Sequence, residues 1–230
     1  MKLYIARHGQ SKKEVNSKGY FQILGGSTSY NKSLTKKGIS QAEELGKLFK
    51  DKKIDAVYSS KLLRAKQTAK IALLDYEITY DARLNEKNFG KFSGMFSDHV
   101  ILVNEDHVDL PLIKSLLGEL KGRDYLKSLL YDTNDDNITT VITINSIFPG
   151  VEKVEEIIER IKSFESDVRK SNCENVVVIC HSGVIRCWMK NVLDEPEKYS
   201  AGTVKKIKSL PSKGVYRDVE NCSLYEFVLV

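Results

Sequence analysis

Three short apolar segments constrain the fold of this chain more strongly than any other feature of its sequence. They cover residues 2–6, 54–58 and 176–180, and they are rich in apolar and β-branched residues on both faces. Strands of this kind belong to sheets that are covered on both sides, and such sheets are mostly parallel. The three segments therefore predict buried, parallel strands. Weaker strand candidates are residues 77–80, 140–144 and 224–229.

Amphipathic helix patterns lie between these strand candidates. Each pattern places apolar side chains at helical spacing, with charged side chains on the opposite face. The apolar stripes are Ala42, Leu45, Leu48 and Phe49, then Leu62, Ala65, Ala69 and Ala72, then a longer stripe within residues 151–168. Ser60 is expected to cap the second helix. Strands that alternate with helices predict an α/β fold, a three-layer sandwich with a mostly parallel central sheet flanked by helices and right-handed crossovers.

The segment from about residue 94 to residue 149 interrupts this alternation. It contains an acidic loop at 104–106, an apolar helical run at 110–130 and a polar turn at 134–137. We interpret the segment as a largely helical insertion within a single domain that spans residues 1–230, because one hydrophobic core can serve a chain of this length.

The composition excludes several classes of protein. With 41% hydrophobic and 29% charged residues the chain is expected to fold, and no apolar run approaches the roughly 20 residues of a membrane helix. The net charge of +5 favours small anions and is weak evidence for nucleic acid. Four irregularly spaced cysteines, and no secretory signal after Met1, predict a reduced, cytoplasmic protein. We therefore expect neither a membrane nor a nucleic-acid partner, and the oligomeric state stays open.

Each of the three main strand segments is followed at once by a cluster of polar residues. The clusters are residues 7–11, residues 59–64, and residues 181–183 with Arg186 one helical turn later. Ligands of open α/β sheets bind beyond the carboxyl ends of the strands. If the three strands are neighbours, two histidines and two or three arginines meet at one edge of the sheet.

Such an edge has the chemistry of a phosphoryl-transfer site. Guanidinium groups and helix N-termini bind phosphoryl oxygens, and a neutral imidazole can attack phosphorus. Covalent transfer through histidine also needs a carboxyl group that protonates the leaving oxygen. Taken singly, each cluster has an ordinary explanation, such as a surface turn at Arg7-His8, a solvated charge at Arg64 or a helix cap at His181. Their joint placement favours the site, but the residues alone do not single out Glu86 among 31 acidic residues.

Six segments, in this order along the chain, resemble the motifs of the histidine phosphatase superfamily, which includes the cofactor-dependent phosphoglycerate mutases. The segments lie within residues 7–11, 34–42, 57–69, 84–94, 181–186 and 221–223. One such motif would carry little information, whereas six in the same order make a chance similarity improbable.

The resemblance implies a phosphomonoesterase that works through a phosphohistidine on His8, with no metal and no bound organic cofactor, on a small phosphorylated substrate. It implies that Glu86 donates and accepts the proton. It further implies that Arg7, Arg64 and His181 bind the phosphoryl group. The secondary phosphate contacts that it suggests are Ser11, Ser182 and Asn16, the last because the usual asparagine position of the first motif holds Glu14 here.

Four alternatives stay open. A mutase-type phosphotransferase is the first, although the insertion has no arginine-rich stretch with clustered prolines of the kind that phosphoglycerate mutases carry. A second is a catalytically silent protein that binds a phosphorylated ligand. A third is a cysteine-dependent phosphatase, because Cys180 and Arg186 have the Cys-x5-Arg spacing of that class. The fourth is a metal site at His99 and His107, which lack the spacing of familiar zinc helices.

Overall fold

The computed structural model describes residues 1–12, 24–27, 31–90, 93–94, 150–203 and 219–230. The chain divides into two compact units. One unit comprises Met1–Lys12, Asn31–Lys87 and Val154–Val230, and the other comprises Lys13–Tyr30 and Asn88–Lys153. The insertion predicted from about 94 to 149 lies, apart from Gly94, outside the described residues, as does the strand predicted at 140–144. Both stay predictions.

The first unit is built on a five-stranded sheet. Its strands, in chain order, are β1 Lys2–Arg7, β2 Ala56–Ser60, β3 Ile78–Asp81, β4 Asn175–Cys180 and β5 Leu224–Val228. The spatial order is β3-β2-β4-β1-β5. All neighbours pair in parallel except β5, which is antiparallel to β1. The sheet is thus mostly parallel, as the sequence predicts, and the three strands that precede the polar clusters are adjacent.

Among the residues that the structure describes, four longer helices cover this sheet. They are α1 Lys36–Lys47, α2 Leu63–Ala72, α3 Val154–Arg169 and α4 Ser182–Asp194, with short 3-10 helices at Ala82–Leu84 and Pro196–Lys198. Side chains of β1 alternate between two buried clusters: Leu3 packs with residues of α3 and α4, whereas Tyr4 packs with residues of α1 and α2. The period of two along the strand therefore produces the predicted three layers.

The structure corrects several local predictions. Leu48, predicted to lie on the apolar stripe of the first helix, follows the end of α1 at Lys47 and is 54% exposed, whereas the next stripe residue, Phe49, is buried. The predicted strand at 54–58 begins at Ala56 and extends to Ser60. Ser60 pairs with Asp81 in the sheet, so it ends β2, and Leu62 takes the cap position of α2. No helix in the described part of the chain is long and apolar enough to span a membrane.

Candidate active site

The polar clusters that follow β1, β2 and β4 come together at the carboxyl edge of the sheet. Arg7 at the end of β1 is in register with Cys180 at the end of β4, and the His8 backbone N–H donates to the Cys180 carbonyl at 3.0 Å. The rings of His8 and His181 have centroids 5.0 Å apart. The strand order thus places both histidines side by side, as expected for neighbouring parallel strands.

The imidazole of His8 is held in one tautomer. Its Nδ1 lies 2.7 Å from the carbonyl oxygen of Gly9. A carbonyl only accepts, so Nδ1 carries the ring hydrogen and Nε2 carries the lone pair. The Nε of Arg64 donates to this Nε2 at 3.2 Å. His8 is only 5% exposed, so its Nε2 lies among fixed groups rather than in bulk water.

The backbone on both sides of His8 is also fixed. The Gly9 N–H donates to the Thr68 hydroxyl at 2.9 Å, and the Asn221 side-chain amide donates to the His8 carbonyl at 2.9 Å. A Cβ atom at Gly9 would lie 2.4 Å from the Gly38 carbonyl oxygen, so the close approach of these two backbone segments requires glycine. These contacts hold the imidazole without using its Nε2.

Two arginines supply positive charge at the site. Arg64, in the first turn of α2, is 2% exposed, and its burial lowers its pKa to about 10, partly offset by Glu86. Burial also lowers the pKa of Arg7, with a further effect from the nearby Arg186. Arg7 Nη1 donates to the Val219 carbonyl, while its Nε makes no hydrogen bond within the described residues. Both guanidiniums remain charged near neutral pH, and a bound anion would offset the cost of burying them together.

His181, directly before α4, is fully buried. Its Nε2 lies 2.8 Å from the Ser60 hydroxyl oxygen. Burial, together with the charges of Arg64, Arg7 and Arg160, lowers its pKa well below the ordinary histidine value. His181 is therefore neutral at physiological pH in the absence of a bound anion.

Glu86 lies at the N-terminus of α4, beside His181. The Lys87 backbone N–H donates to Oε1 at 3.0 Å, the Gly183 backbone N–H donates to Oε2 at 3.4 Å, and the Ser182 hydroxyl donates to Oε2 at 3.5 Å. The carboxylate also interacts electrostatically with both Arg7 and Arg64. The only carboxyl group that the family resemblance names thus lies among the predicted phosphate-binding residues.

The remaining predicted site residues are Ser11, Ser182 and Asn16. Ser11 is buried and pairs with Leu34 through an isolated bridge, and Ser182 contacts Glu86. Asn16 and Glu14 lie outside the described residues, and so do His99 and His107. The phosphate contacts suggested for Ser11, Ser182 and Asn16 stay predictions.

Sequence reasoning missed three supporting residues. The Thr68 hydroxyl accepts from the backbone N–H of Gly9, next to His8. Ser60 and Asn85 are hydrogen-bonded to each other at 2.9 Å, and Ser60 also contacts the His181 ring. Ser60 was expected as a helix cap and as a member of the polar cluster 59–64, but with no role of its own at the site. A hydroxyl at the end of a strand that leads into the site was the available signal for Ser60, but no signal pointed to Asn85.

The structure contradicts a cysteine-dependent mechanism at Cys180. The side chain is 0% exposed and belongs to the hydrophobic cluster formed with α3 and α4. Burial raises its pKa, so the group stays a neutral thiol. A cysteine nucleophile needs a lowered pKa and access to the substrate, and Cys180 has neither.

Comparisons with known proteins identify the family of this chain. The family model described as "Histidine phosphatase superfamily (branch 1)" matches residues 3–109 and 139–203. "Putative phosphoserine phosphatase 2" of Hydrogenobacter thermophilus is 30% identical over 186 residues, which cover 80% of this chain and 74% of that protein. Adenosylcobalamin/alpha-ribazole phosphatase of Salmonella typhimurium is 26% identical over 198 residues, covering 85% and 81%. Phosphoglycerate mutase 1 of Saccharomyces cerevisiae is 40% identical over only 100 residues, covering 40% and 38%.

A solved structure supports the same fold. The phosphoglycerate mutase from Bacillus anthracis str. Sterne superimposes with a TM-score of 0.62 at 23% identity, covering 98% of this chain and 86% of that one. At this identity the likeness concerns the fold alone, and it confirms the α/β sandwich. Because the family model matches most of the chain and the six predicted motifs lie in the same order, the chain belongs to the histidine phosphatase superfamily.

Proposed function

We propose that this protein hydrolyses phosphomonoesters through a covalent phosphohistidine intermediate on His8. The observation that carries the proposal is the state of the His8 ring. Its hydrogen is donated from Nδ1 to the Gly9 carbonyl, and its Nε2 lone pair faces the guanidinium of Arg64. A nucleophilic nitrogen that already lies against a phosphate-binding cation is arranged for attack on phosphorus.

The phosphoryl group is bound by charge and hydrogen bonds. Arg64 is a buried cation and Arg7 a half-buried one. Their planar donors suit phosphoryl oxygens, and they neutralise the charge that spreads over these oxygens in the transition state. The ring of His181 lies next to that of His8, so one of its nitrogens can also contact the phosphoryl group. The Arg64 N–H that contacts His8 Nε2 becomes available to the phosphoryl oxygens once Nε2 has bonded to phosphorus.

The reaction takes two displacements. In the first, His8 Nε2 forms a bond to phosphorus, the bond from phosphorus to the leaving oxygen breaks, and protonated Glu86 gives its proton to that oxygen. In the second, the Glu86 carboxylate takes a proton from water, and the water oxygen bonds to phosphorus. The bond from phosphorus to Nε2 then breaks, inorganic phosphate leaves, and Glu86 is protonated for the next cycle. The position of Glu86 beside His181 supports this assignment.

Hydrolysis is favoured over mutase chemistry by the extent of the similarities. The two phosphatase relatives named above align along 80% and 85% of the chain, whereas the yeast mutase aligns along 40%. The alternative is tested by offering a phosphorylated donor together with an alcohol acceptor. Transfer of phosphoryl groups mainly to the alcohol, rather than to water, would favour a phosphotransferase.

The direct test is turnover of a chromogenic aryl phosphate by the purified protein. We expect His8→Ala to lower turnover by about a thousandfold or more while the thermal midpoint is kept. Rapid quenching of the wild-type protein should trap a phosphoenzyme that is labile in acid and stable in base, as a phosphoramidate is. Cys180→Ser should retain turnover. Absence of turnover by the wild-type protein, with phosphate binding retained, would identify a silent phospholigand-binding protein instead.

We further infer a small phosphorylated substrate and a cytoplasmic location. The substrate class follows from the small-molecule substrates named for the alpha-ribazole and phosphoserine phosphatase relatives. The location follows from the irregular cysteine spacing, which is typical of reduced thiols. Cell fractionation tests the location, and a panel of phosphorylated metabolites tests the substrate class.

A further inference from the structure

The hydrogen bonds beneath His181 have a defined direction. The Lys61 backbone N–H donates to Asn85 Oδ1 at 2.9 Å, which identifies this atom as the amide oxygen. The Ser60 hydroxyl lies 2.9 Å from the same oxygen. An amide oxygen only accepts, so the single hydrogen of Ser60 is donated to Asn85.

This direction determines the tautomer of His181. With its hydrogen donated to Asn85, Ser60 Oγ can only accept from the His181 ring, and it also accepts from the Leu62 N–H at 3.2 Å. His181 Nε2 therefore carries the ring hydrogen. A neutral imidazole has one such hydrogen, so Nδ1 carries a lone pair. That Nδ1 is buried and makes no hydrogen bond with any described residue.

We propose that Ser60 and Asn85 are positioning residues that hold the ring hydrogen of His181 on Nε2, so that a phosphoryl dianion is bound together with a proton taken up at Nδ1. The inference rests on the proposed function for the identity of the dianion. The proton comes from solvent and forms an N–H bond at Nδ1, no bond to phosphorus changes, and the resulting imidazolium donates Nδ1–H to a phosphoryl oxygen.

The electrostatic surroundings of His181 explain why the proton arrives with the anion. The cations Arg64, Arg7 and Arg160 all disfavour a positive charge on the His181 ring when no anion is bound. The carboxylate of Glu86 accepts from the Gly183 N–H, two residues after His181. A bound dianion reverses this balance, because it neutralises the guanidiniums and attracts a proton to the lone pair that it faces.

The consequence is a specific pH dependence of anion binding. Where free phosphate is already the dianion, each binding event consumes a proton at His181. The affinity for inorganic phosphate should then fall by about tenfold for each unit of rising pH. Without Ser60 and Asn85 a neutral His181 could place its hydrogen on Nδ1 and bind the same anion with no proton uptake.

Asn85→Ala is the sharpest variant, because it leaves Ser60 in place but frees its hydroxyl hydrogen. Ser60 can then donate to His181 Nε2, and the ring hydrogen moves to Nδ1. Asn31→Ala is the matched control: the Asn31 amide oxygen accepts from the Leu63 N–H at the same end of α2, and no hydrogen bond joins it to Ser60 or His181 among the described contacts. All proteins should also carry Glu86→Gln, so that this carboxylate cannot take up the proton.

Two measurements test the proposal. Nitrogen-15 NMR of histidine in the phosphate-free protein should show His181 protonated at Nε2 in the parent and in Asn31→Ala, and at Nδ1 in Asn85→Ala. Calorimetric titration with inorganic phosphate in buffers of different ionisation enthalpy counts protons. We expect uptake in Asn85→Ala to be lower by about one proton per phosphate than in the parent and in Asn31→Ala.

Several results would overturn the proposal. They are an Nδ1–H tautomer in the phosphate-free parent, equal proton uptake in the parent and Asn85→Ala, or a parent that binds no phosphate. These outcomes are distinguishable from failure of the proposed function, because wild-type turnover of aryl phosphate is measured separately. Turnover without the difference in proton uptake would refute only the positioning role of Ser60 and Asn85. The expected tautomers and proton counts without turnover would refute only the proposed hydrolase activity.

Discussion

The contact between Gly183 and Glu86 yields a sharp prediction about catalysis. A Cβ atom at position 183 would lie 2.4 Å from Glu86 Oε1 and 3.4 Å from its carboxyl carbon. The carboxylate would have to move by about 1 Å to restore ordinary contact distances. Because it is the end of a flexible side chain, it can move at low cost, but it then leaves the position from which it would transfer protons in the proposed mechanism.

The expected effects of Gly183→Ala on activity and stability are opposite. A displacement of this size costs about a hundredfold in turnover, within the range that one general acid contributes. Gly183 lies in the first turn of α4, where alanine is preferred over glycine by up to about 1 kcal/mol. The thermal midpoint should therefore be unchanged or higher by about 2–4 °C.

The assay compares kcat for an alkyl phosphate, whose leaving group needs a proton, with kcat for an activated aryl phosphate. Gly183→Ala should slow the alkyl ester more. Gly9→Ala is the matched control, because its Cβ would meet the Gly38 backbone carbonyl, which cannot move away, and so this variant should lose stability. Equal turnover of the alkyl ester by wild type and Gly183→Ala would refute the reasoning, and so would a loss of stability like that of Gly9→Ala.

Three further predictions concern ionisable side chains. Glu86→Gln should slow alkyl phosphates about a hundredfold or more and aryl phosphates less, as measured by leaving-group dependence. Arg64→Ala removes the donor to His8 Nε2 and should weaken vanadate binding, measured by inhibition, by about 2 kcal/mol, roughly 30-fold. Glu165 is buried and accepts from Trp188 and Tyr199, and burial raises its pKa. Its carboxyl group therefore favours the folded state most below the ordinary glutamate pKa, and this contribution declines as pH rises through the raised value. The free energy of unfolding of Glu165→Gln, measured in urea, should therefore rise relative to that of wild type as the pH increases from mildly acidic to neutral.

Each of these predictions has a contrary outcome. An equal loss for both ester classes would remove Glu86 from proton transfer. Vanadate inhibition that is unchanged in Arg64→Ala would mean that this guanidinium does not contact the bound anion. A constant stability difference between Glu165→Gln and wild type across this pH range would show that the carboxyl pKa is the same in the folded and unfolded states.

The main strands were predictable because their signal is local. Residues 176–180 of β4 are apolar at every position, and Arg7 and His8 follow directly at the end of β1. Parallel pairing then brings strand ends to one edge, so the meeting of His8 and His181 could be expected before any coordinates. The errors are local too, since helix α1 ends one residue before Leu48 and the pattern of apolar residues does not mark that end.

Glu86 and Asn85 show the limit of such reasoning. Both lie in a loop whose polar residues carry no periodicity, and only the family resemblance named Glu86. Their positions depend on hydrogen bonds between distant parts of the chain. The bond from Gly183 to Glu86 joins residues 97 positions apart, and the bond from Ser60 to Asn85 joins residues 25 positions apart.

By itself, the amino-acid sequence determined the α/β architecture, the strand ends that carry histidine and arginine, and the family. These properties depend on the order of apolar and polar residues within short segments, which the chain displays directly. Only the tertiary structure decided which nitrogen of each histidine carries hydrogen, which carboxylate lies beside them, and that Cys180 is a core residue. Proton positions and burial depend on neighbours that are distant in the chain, and these neighbours exist only after the strands have paired and the helices have packed.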